Sequence, residues 1–459
     1  MAGIGFELRK ILRRDTLTST LAAYGYAGVI SAGPLILSIL GILLIGMMSL
    51  AVVQPPGLIV QFQVSVTYLI AFSLVVTGVL QLSFTRFLSD RLFERRPDLV
   101  LPNYNAVSLV TTVGTGLIGL ILALTAFRDQ STGYRLLMLA GFVIVSNIWI
   151  GVLFLTSVKQ YRAILAIFFV GYGVTVVSAV LLNRHGLEGL LGGFVIGHLI
   201  LLLGMGCLIH RNYRTDEYLL WQVFDRRFSY PSLMFVGLLF NLGIWLDKFM
   251  FWFYPVTGQD VIGPLRASVI YDLPVFISYL CVIPGMAVFL LRIETDFVEY
   301  YDQFYNAVRT GGTLKYIEES RDMMVRSVRT GLYEILKIQA VVTLLIFAFG
   351  DHLLRLIGIS VLYLPLLHID VISASLQVLF LGILNIFFYL DRRLTVLALT
   401  FAMVVANGVF TWGTLMLGPN TYGYGFALAL AVVVIVAMQL LDRRLDALEY
   451  ETYMLQNQH

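Results

Sequence analysis

A chain of 459 residues that is 59 % hydrophobic and only 13 % charged cannot hide its apolar side chains beneath a polar shell. A typical soluble domain carries about 25 % charged residues. The net charge of +3 leaves no basic arm for nucleic acid, and Cys207 and Cys281, both in apolar runs, cannot supply a disulfide framework.

The first fifteen residues place Ile4, Leu8, Ile11 and Leu12 on one helical face beside Arg9, Lys10, Arg13 and Arg14. This is either a short amphipathic helix on a membrane surface or a simple basic topology anchor. The first apolar run is longer than a signal-peptide core of about 7–15 residues, so no cleavable signal is expected. Windows of about 20 apolar residues place twelve predicted spans at 22–50, 61–87, 103–127, 134–158, 161–182, 187–209, 230–254, 268–291, 332–350, 370–390, 394–417 and 422–441.

The positive charges sort by side. Of 31 Lys and Arg residues, 25 fall on the side that holds both termini, five (Arg128, Arg135, Arg184, Arg266 and Arg355) on the other, and Lys248 inside a span. The excess of Lys and Arg on cytoplasmic loops then puts both termini in the cytoplasm.

Six spans precede the 211–229 loop and six follow it, so both halves enter the bilayer in the same sense. The expected architecture is an all-α polytopic membrane protein of two six-helix bundles related by a pseudo-twofold axis along the membrane normal. Its parts are an N-terminal bundle at 1–210, a cytoplasmic linker at 211–229 and a C-terminal bundle at 230–459. The interface of the halves is the natural substrate path. Within the second half a long cytoplasmic loop, 292–331, opens on Glu294, Asp296, Glu299 and Asp302 interleaved with aromatics, and turns basic after Gly311-Gly312. It reads as an interfacial helix pair, as a docking surface for a cytoplasmic partner, or as both.

Enzymatic chemistry finds no footing. There is no G-x-x-x-x-G-K-[ST] phosphate loop. The six histidines are scattered without metal-ligand spacing, and no cofactor or metal is expected. The short loops leave no room for a catalytic domain.

Ionisable residues inside spans are the better lead, because a charge in hydrocarbon is costly and faces a cavity or a partner. Asp247 and Lys248 lie in the seventh span and Asp272 in the eighth. At a rise of about 1.5 Å per residue, Lys248 and Asp272 sit about 9 Å and about 6 Å below the same surface. Adjacent helix positions diverge by about 100°, so Asp247 and Lys248 are not expected to pair with each other. Either Lys248–Asp272 is an interhelical salt bridge, or Asp247 meets substrate or a coupling proton. Gly33 and Pro34 in the first span, and Pro274 and Pro284 in the eighth, are helix-break candidates, whether as packing kinks or as binding-site breaks. Gln81, Asn147, Asn385 and Asn407 read as interhelical hydrogen-bonding residues.

Several segments together carry a family likeness: MAGIGFELRKILRRD at 1–15, YGYAGVISAGP at 24–34, WLDKFMFWFYP at 245–255, and YDLPVFISYLCVIPGMAVFLLRIETDFVEYYDQFYNAV at 271–308. They resemble the PelG-type membrane subunit of the bacterial Pel exopolysaccharide system, in the polysaccharide-transporter branch of the multidrug/oligosaccharidyl-lipid/polysaccharide superfamily. The resemblance implies export of an amino-sugar-rich, partly cationic polymer across the bacterial inner membrane. It also implies a cytoplasmic glycosyltransferase and membrane subunits as partners, one of them sensing cyclic di-GMP. The superfamily's ion-coupled exporters carry a carboxylate in the first span, whereas no Asp or Glu occurs here between positions 22 and 50. Lipid-linked precursor flippases carry cavity arginines, whereas the arginines here lie at span ends. Asp247, Asp272, Glu294 and Asp296 then become the acidic contacts open to a cationic chain. The alternatives are a flippase for a lipid-linked oligosaccharide and a non-transporting scaffold of a synthase complex.

Overall fold

The computed structural model describes residues 16–450 apart from 50, 51, 56 and 159, so the expected N-terminal amphipathic segment lies outside the described residues. Among the described residues, ten helical segments are long and apolar enough to cross a membrane. One of them, Arg162–Asn212, is two helices folded back at a 3-10 turn, Asn183–His185, followed by Gly186 with φ of 63°.

In chain order the first seven helices among the described residues are α1 (Leu17–Ser49), α2 (Gly57–Phe93), α3 (Val100–Leu124), α4 (Thr132–Ser157), α5 (Tyr161–Leu182), α6 (Gly186–Asn212) and α7 (Pro231–Phe253). A two-stranded antiparallel hairpin follows, β1 (Gln259–Ile262) and β2 (Leu265–Ala267), pairing Gln259 with Ala267 and Asp260 with Arg266. The all-α expectation omitted it. Its four-residue and three-residue strands are too short for an alternating pattern to stand out in so apolar a sequence.

The eighth span departs most from expectation. It is built of α8 (Val269–Leu280), α9 (Ile283–Leu291), a π-helical stretch at Arg292–Phe297 and α10 (Val298–Arg309). The 292–331 segment, read from sequence as a helix pair, a docking surface or both, is largely helical. After a turn at Gly311, whose φ of 69° suits glycine alone, α11 runs unbroken over 44 residues (Leu314–Ile357). Thr313 caps its start by accepting a hydrogen bond from the Tyr316 amide at 3.4 Å. Arg329 pairs with Asp442 at 2.7 Å, tying α11 to the helix Tyr424–Asp446, and Arg321 pairs with Glu449 just beyond that helix at 2.5 Å. The remaining helices are α12 (Leu364–Tyr389), α13 (Arg393–Leu417) and α14 (Tyr424–Asp446).

The chain divides into two compact units, but not at 211–229. Unit 1 takes residues 1–32 and 270–459, and unit 2 takes 33–269. The seventh helix, expected with the second half, belongs to unit 2. The reason is a backbone contact. A Cβ added at Gly237 would lie 2.2 Å from the Gly78 carbonyl oxygen, and one at Gly78 would lie 2.8 Å from the Gly237 carbonyl oxygen. Two helices approach this closely only where both present glycine, and lipid gives apolar helices no other strong reason to associate. Asn241, one turn beyond Gly237, then donates across the gap to the Leu74 carbonyl (3.0 Å) and the Gln81 side-chain oxygen (3.2 Å).

The expected linker is docked rather than free. Asn103 accepts from the Val223 amide at 2.9 Å, Asn105 donates to the Tyr218 carbonyl at 2.9 Å, and Phe228 lies under the Arg91 guanidinium at 4.5 Å. Within unit 2, α5 and α6 pack through the glycines at 189, 193 and 197, where a Cβ would collide with Leu182, Ala179 and Thr175. In unit 1, α12 is the most buried of the candidate spans, and α11 and α14 pack on it.

Gly237→Ala is expected to force α7 away from α2, an overpacking cost of about 1–3 kcal/mol. It should lower the thermal unfolding midpoint of detergent-solubilised protein. Gly206→Ala, in α6 with open space around it, should not. Equal midpoints for Gly237→Ala and wild type would remove the glycine contact as the reason α7 joins unit 2.

Candidate functional site

Each unit places an ionisable cluster inside its helices. In unit 2 the cluster is on α7. Asp247 and Lys248 are both buried, and the lysine ammonium lies 3.2 Å from Asp247 Oδ2 while donating to the Ile244 carbonyl at 2.9 Å. The expectation that neighbours on a helix cannot pair is thus corrected. The Cα–Cβ directions diverge, but the four-carbon lysine stem folds back along its own turn and brings the ammonium to the carboxylate. The Trp245 ring stands 5.9 Å from the ammonium.

In unit 1 the cluster is on the broken eighth span. Its helix stops at Leu280 and restarts at Ile283, with Pro284 in the first turn, so Pro284 is a true break. Pro274 lies inside α8 without ending it, and Gly33 and Pro34 lie inside a continuous α1. What marks Gly33 is position, since the division between the two units falls between Ala32 and Gly33. At the break Gln339 of α11, 1 % exposed, donates its amide to the Val282 carbonyl at 3.3 Å, beside the Met286 amide that donates to the same oxygen at 3.0 Å. The Gln339 side-chain oxygen in turn accepts from Ser375 of α12 at 3.0 Å.

The π-helical stretch follows. Its wider turn is marked by Thr295, whose hydroxyl donates to the Leu290 carbonyl five residues back at 3.1 Å. Two of the predicted acids sit here with different partners. Asp296 takes the Arg292 guanidinium at 2.8 Å, and the same guanidinium holds Glu334 of α11. Glu294, buried, accepts from two neutral donors of α12 instead, the Asn385 amide at 2.9 Å and the Tyr389 hydroxyl at 3.2 Å. Rings surround it: Phe297 and Tyr301 lie 5.4 Å and 5.5 Å from Tyr389, and Tyr305 lies 4.5 Å from Tyr301. A carboxylate, an amide and phenols set among aromatic faces are groups that hydrogen-bond hydroxyl and acetamido substituents and stack on sugar rings.

Asp272 lies half-buried in the first turn of α8. Of the uncharged polar residues, Asn147 links α4 to α3 through Ser108 (2.7 Å) and Thr112 (2.9 Å), and Asn385 belongs to the Glu294 cluster. Asn407 accepts from Thr411 on its own helix at 2.8 Å. Two buried residues escaped the sequence reading. Asp370 of α12 is 3 % exposed, but at the first residue of a predicted span it read as a boundary. Gln339 lay in a predicted span without a charge to draw attention. No group of three or more His, Cys, Asp or Glu side chains able to hold a metal ion occurs among the described residues.

Comparison with known proteins decides the family. The family profile "PelG: Putative exopolysaccharide Exporter (EPS-E)" matches residues 1–453. The chain belongs to the PelG family. It is therefore a multi-pass membrane protein of a transporter family and not an enzyme. No individually curated protein matches it. Among solved structures it is similar to an outward-facing multidrug resistance MATE family transporter of the MOP superfamily, at TM-score 0.65 and 14 % identity over 92 % of this chain and 96 % of that one. It is similar also to a MATE protein in a straight conformation (TM-score 0.66, 13 % identity, 93 % and 96 % covered). A MOP superfamily transporter from Pyrococcus furiosus Vc1 is a third (TM-score 0.63, 15 % identity, 92 % and 96 %). These likenesses establish a MATE-like fold for this PelG-family chain.

A coupled buried pair has a thermodynamic signature. Removing one partner strands the other in a low-dielectric interior, at about 3–5 kcal/mol, whereas replacing both by apolar or neutral groups costs much less. Lys248→Met and Asp247→Asn should each lower the unfolding midpoint in detergent, and the double variant should recover more than half of either loss. Strictly additive losses would show that the two side chains are not energetically coupled.

Proposed function

We propose that this PelG-family protein carries an amino-sugar-rich, Pel-like exopolysaccharide across the bacterial inner membrane as it leaves a cytoplasmic glycosyltransferase. The observation that carries the reading is the family match over 1–453, nearly the whole chain. The distribution of Lys and Arg among the loops supports twelve spans with both termini in the cytoplasm. Counting Arg162–Asn212 as two crossings and α1 as another brings the ten candidate segments to that number.

Within this reading the acids divide by the company they keep. Asp247 and Asp296 each have a cation of their own at 3.2 Å and 2.8 Å, which suits a structural role. Glu294 is held by neutral donors and edged by Tyr301, Tyr305 and Tyr389, which suits contact with sugar hydroxyl and acetamido groups. Aromatic and amide groups beside a carboxylate bind a neutral sugar as readily as a cationic one. The Glu294 assignment therefore holds whether or not the polymer is already deacetylated.

The test is secreted amino-sugar polymer from cells lacking the gene, complemented with wild type, Glu294→Gln or Asp247→Asn at matched membrane levels. Loss of polymer outside, with the glycosyltransferase still active inside, is expected on deletion. Glu294→Gln combined with Tyr389→Phe should lower export at least several-fold without lowering the amount of protein in the membrane. Polymer outside the cells without the gene would end the transport reading. Normal export by the Glu294→Gln/Tyr389→Phe protein would remove that cluster from the path.

A further inference from the structure

Unit 2 carries a second feature, separate from the ionisable clusters. A groove of about 210 Å³ lies among α2, α3, α4 and the β1–β2 hairpin. Its walls are aliphatic and aromatic, including Phe72, Leu122, Ala123, Phe142, Phe253 and Leu265. Ile118 and Leu122 on its edge are exposed, along with Leu117 and Ile121 on the same helix, so the groove opens on an apolar face turned outward from the unit. In a membrane-spanning helix such a face meets acyl chains.

One charged residue lines this groove, and its surroundings are unusual. Arg135 stands in the first turn of α4, where the helix dipole is positive and disfavours a cation. Its Nη2 donates to the Thr132 hydroxyl at 3.2 Å, while its Nε is buried without a hydrogen-bond partner. The nearby acids are engaged elsewhere: Asp129 with Arg128 at 3.4 Å, and Glu188 with the Ser131 hydroxyl. A cation at a helix N-terminus, with donor capacity unused and an apolar groove beside it, calls for an anion attached to a hydrocarbon tail.

We propose that the groove holds one acyl chain of a membrane phospholipid, with the lipid's phosphate on the Arg135 guanidinium. A guanidinium offers a phosphate two parallel N–H donors, and Arg135 commits one Nη2 hydrogen to Thr132. The hairpin, fixed by Tyr68 donating to the Arg266 carbonyl at 2.9 Å and Gln61 to the Val261 carbonyl at 3.2 Å, keeps Leu265 in the wall of the groove. The site depends only on unit 2 spanning a bilayer and not on what is exported.

The experiment is native mass spectrometry of the full-length protein in detergent, titrated with phosphatidylglycerol. Wild type is expected to retain one lipid more tightly than the rest. Arg135→Gln should weaken that lipid about tenfold, as loss of a charge-assisted contact in a low-dielectric site does. Arg135→Lys should keep most of the affinity, and Ala123→Phe, which fills the groove, should abolish the tight lipid while leaving Arg135 in place. Arg128→Gln, an exposed cation at the same helix end, should bind as wild type. Unchanged tight binding in both Arg135→Gln and Ala123→Phe would overturn the proposal. So would a site that retains a polyprenyl phosphate but no phospholipid under the same conditions.

Discussion

Hydrocarbon offers no hydrogen bonds, so every backbone group that a membrane helix releases must be met by the protein itself. That constraint governs the eighth span. Its helix stops at Leu280, restarts at Ile283 and widens to a π-helical turn at 292–297. Each irregularity is braced by side chains: Gln339 on the Val282 carbonyl, which also keeps the Met286 amide, Thr295 on the Leu290 carbonyl, and the Arg292 guanidinium bridging Asp296 to Glu334. Two of these bonds reach α11, so the broken helix is held by the unbroken one beside it. The glycine at 285 completes the fit, since a Cβ there would lie 2.1 Å from the Gln339 amide nitrogen. A break with its own supporting residues is a built feature, and it places Glu294 where α12 can supply Asn385 and Tyr389.

The same solvent explains how the units divide. Lipid tails are as apolar as leucine, so apolar surface does not drive helices together, and backbone approach and polar bonds decide which helices associate. The Gly78–Gly237 crossing, with Asn241 bonded across it, gives α7 to unit 2 although the sequence order places it after the linker. The glycines at 189, 193 and 197 do the same for the α5–α6 hairpin. Small residues recurring every fourth position on one face bring two backbones close enough for ordinary packing to hold them.

These points also show what was legible in the sequence. Helix positions were, because apolar runs of spanning length leave little choice in a chain with so few charges. The family was, from motifs at the N-terminus and along the seventh and eighth spans. The 189–193–197 glycine repeat stands in the sequence and could have been read as a packing face. The Gly78–Gly237 contact could not, because it joins residues far apart and has no local pattern. Pro284 announced the break, but Gln339 did not announce itself as its partner. A polar residue in an apolar run shows only that something must bond it. Asp247 and Lys248 were found by charge, but their pairing with each other was missed, since Cβ directions alone overlook the reach of a lysine stem.

The kind of partner separates the buried and half-buried acids more sharply than burial does. Asp247 and Asp296 are satisfied within their own elements by full positive charges, and a substrate reaching either would have to displace that ion partner, at Asp247 in a buried setting. Among the described residues Glu294 takes its hydrogen bonds from an amide and a phenol, groups of the same donor type as a sugar hydroxyl, so exchange with such a hydroxyl costs little. On the proposed export path, which must pass many sugar units in succession, interchangeable neutral bonds permit movement where a tight ion pair would arrest it. The π-helical turn that carries Glu294 therefore combines a rigid support, through Arg292, with a surface whose hydrogen bonds can be remade.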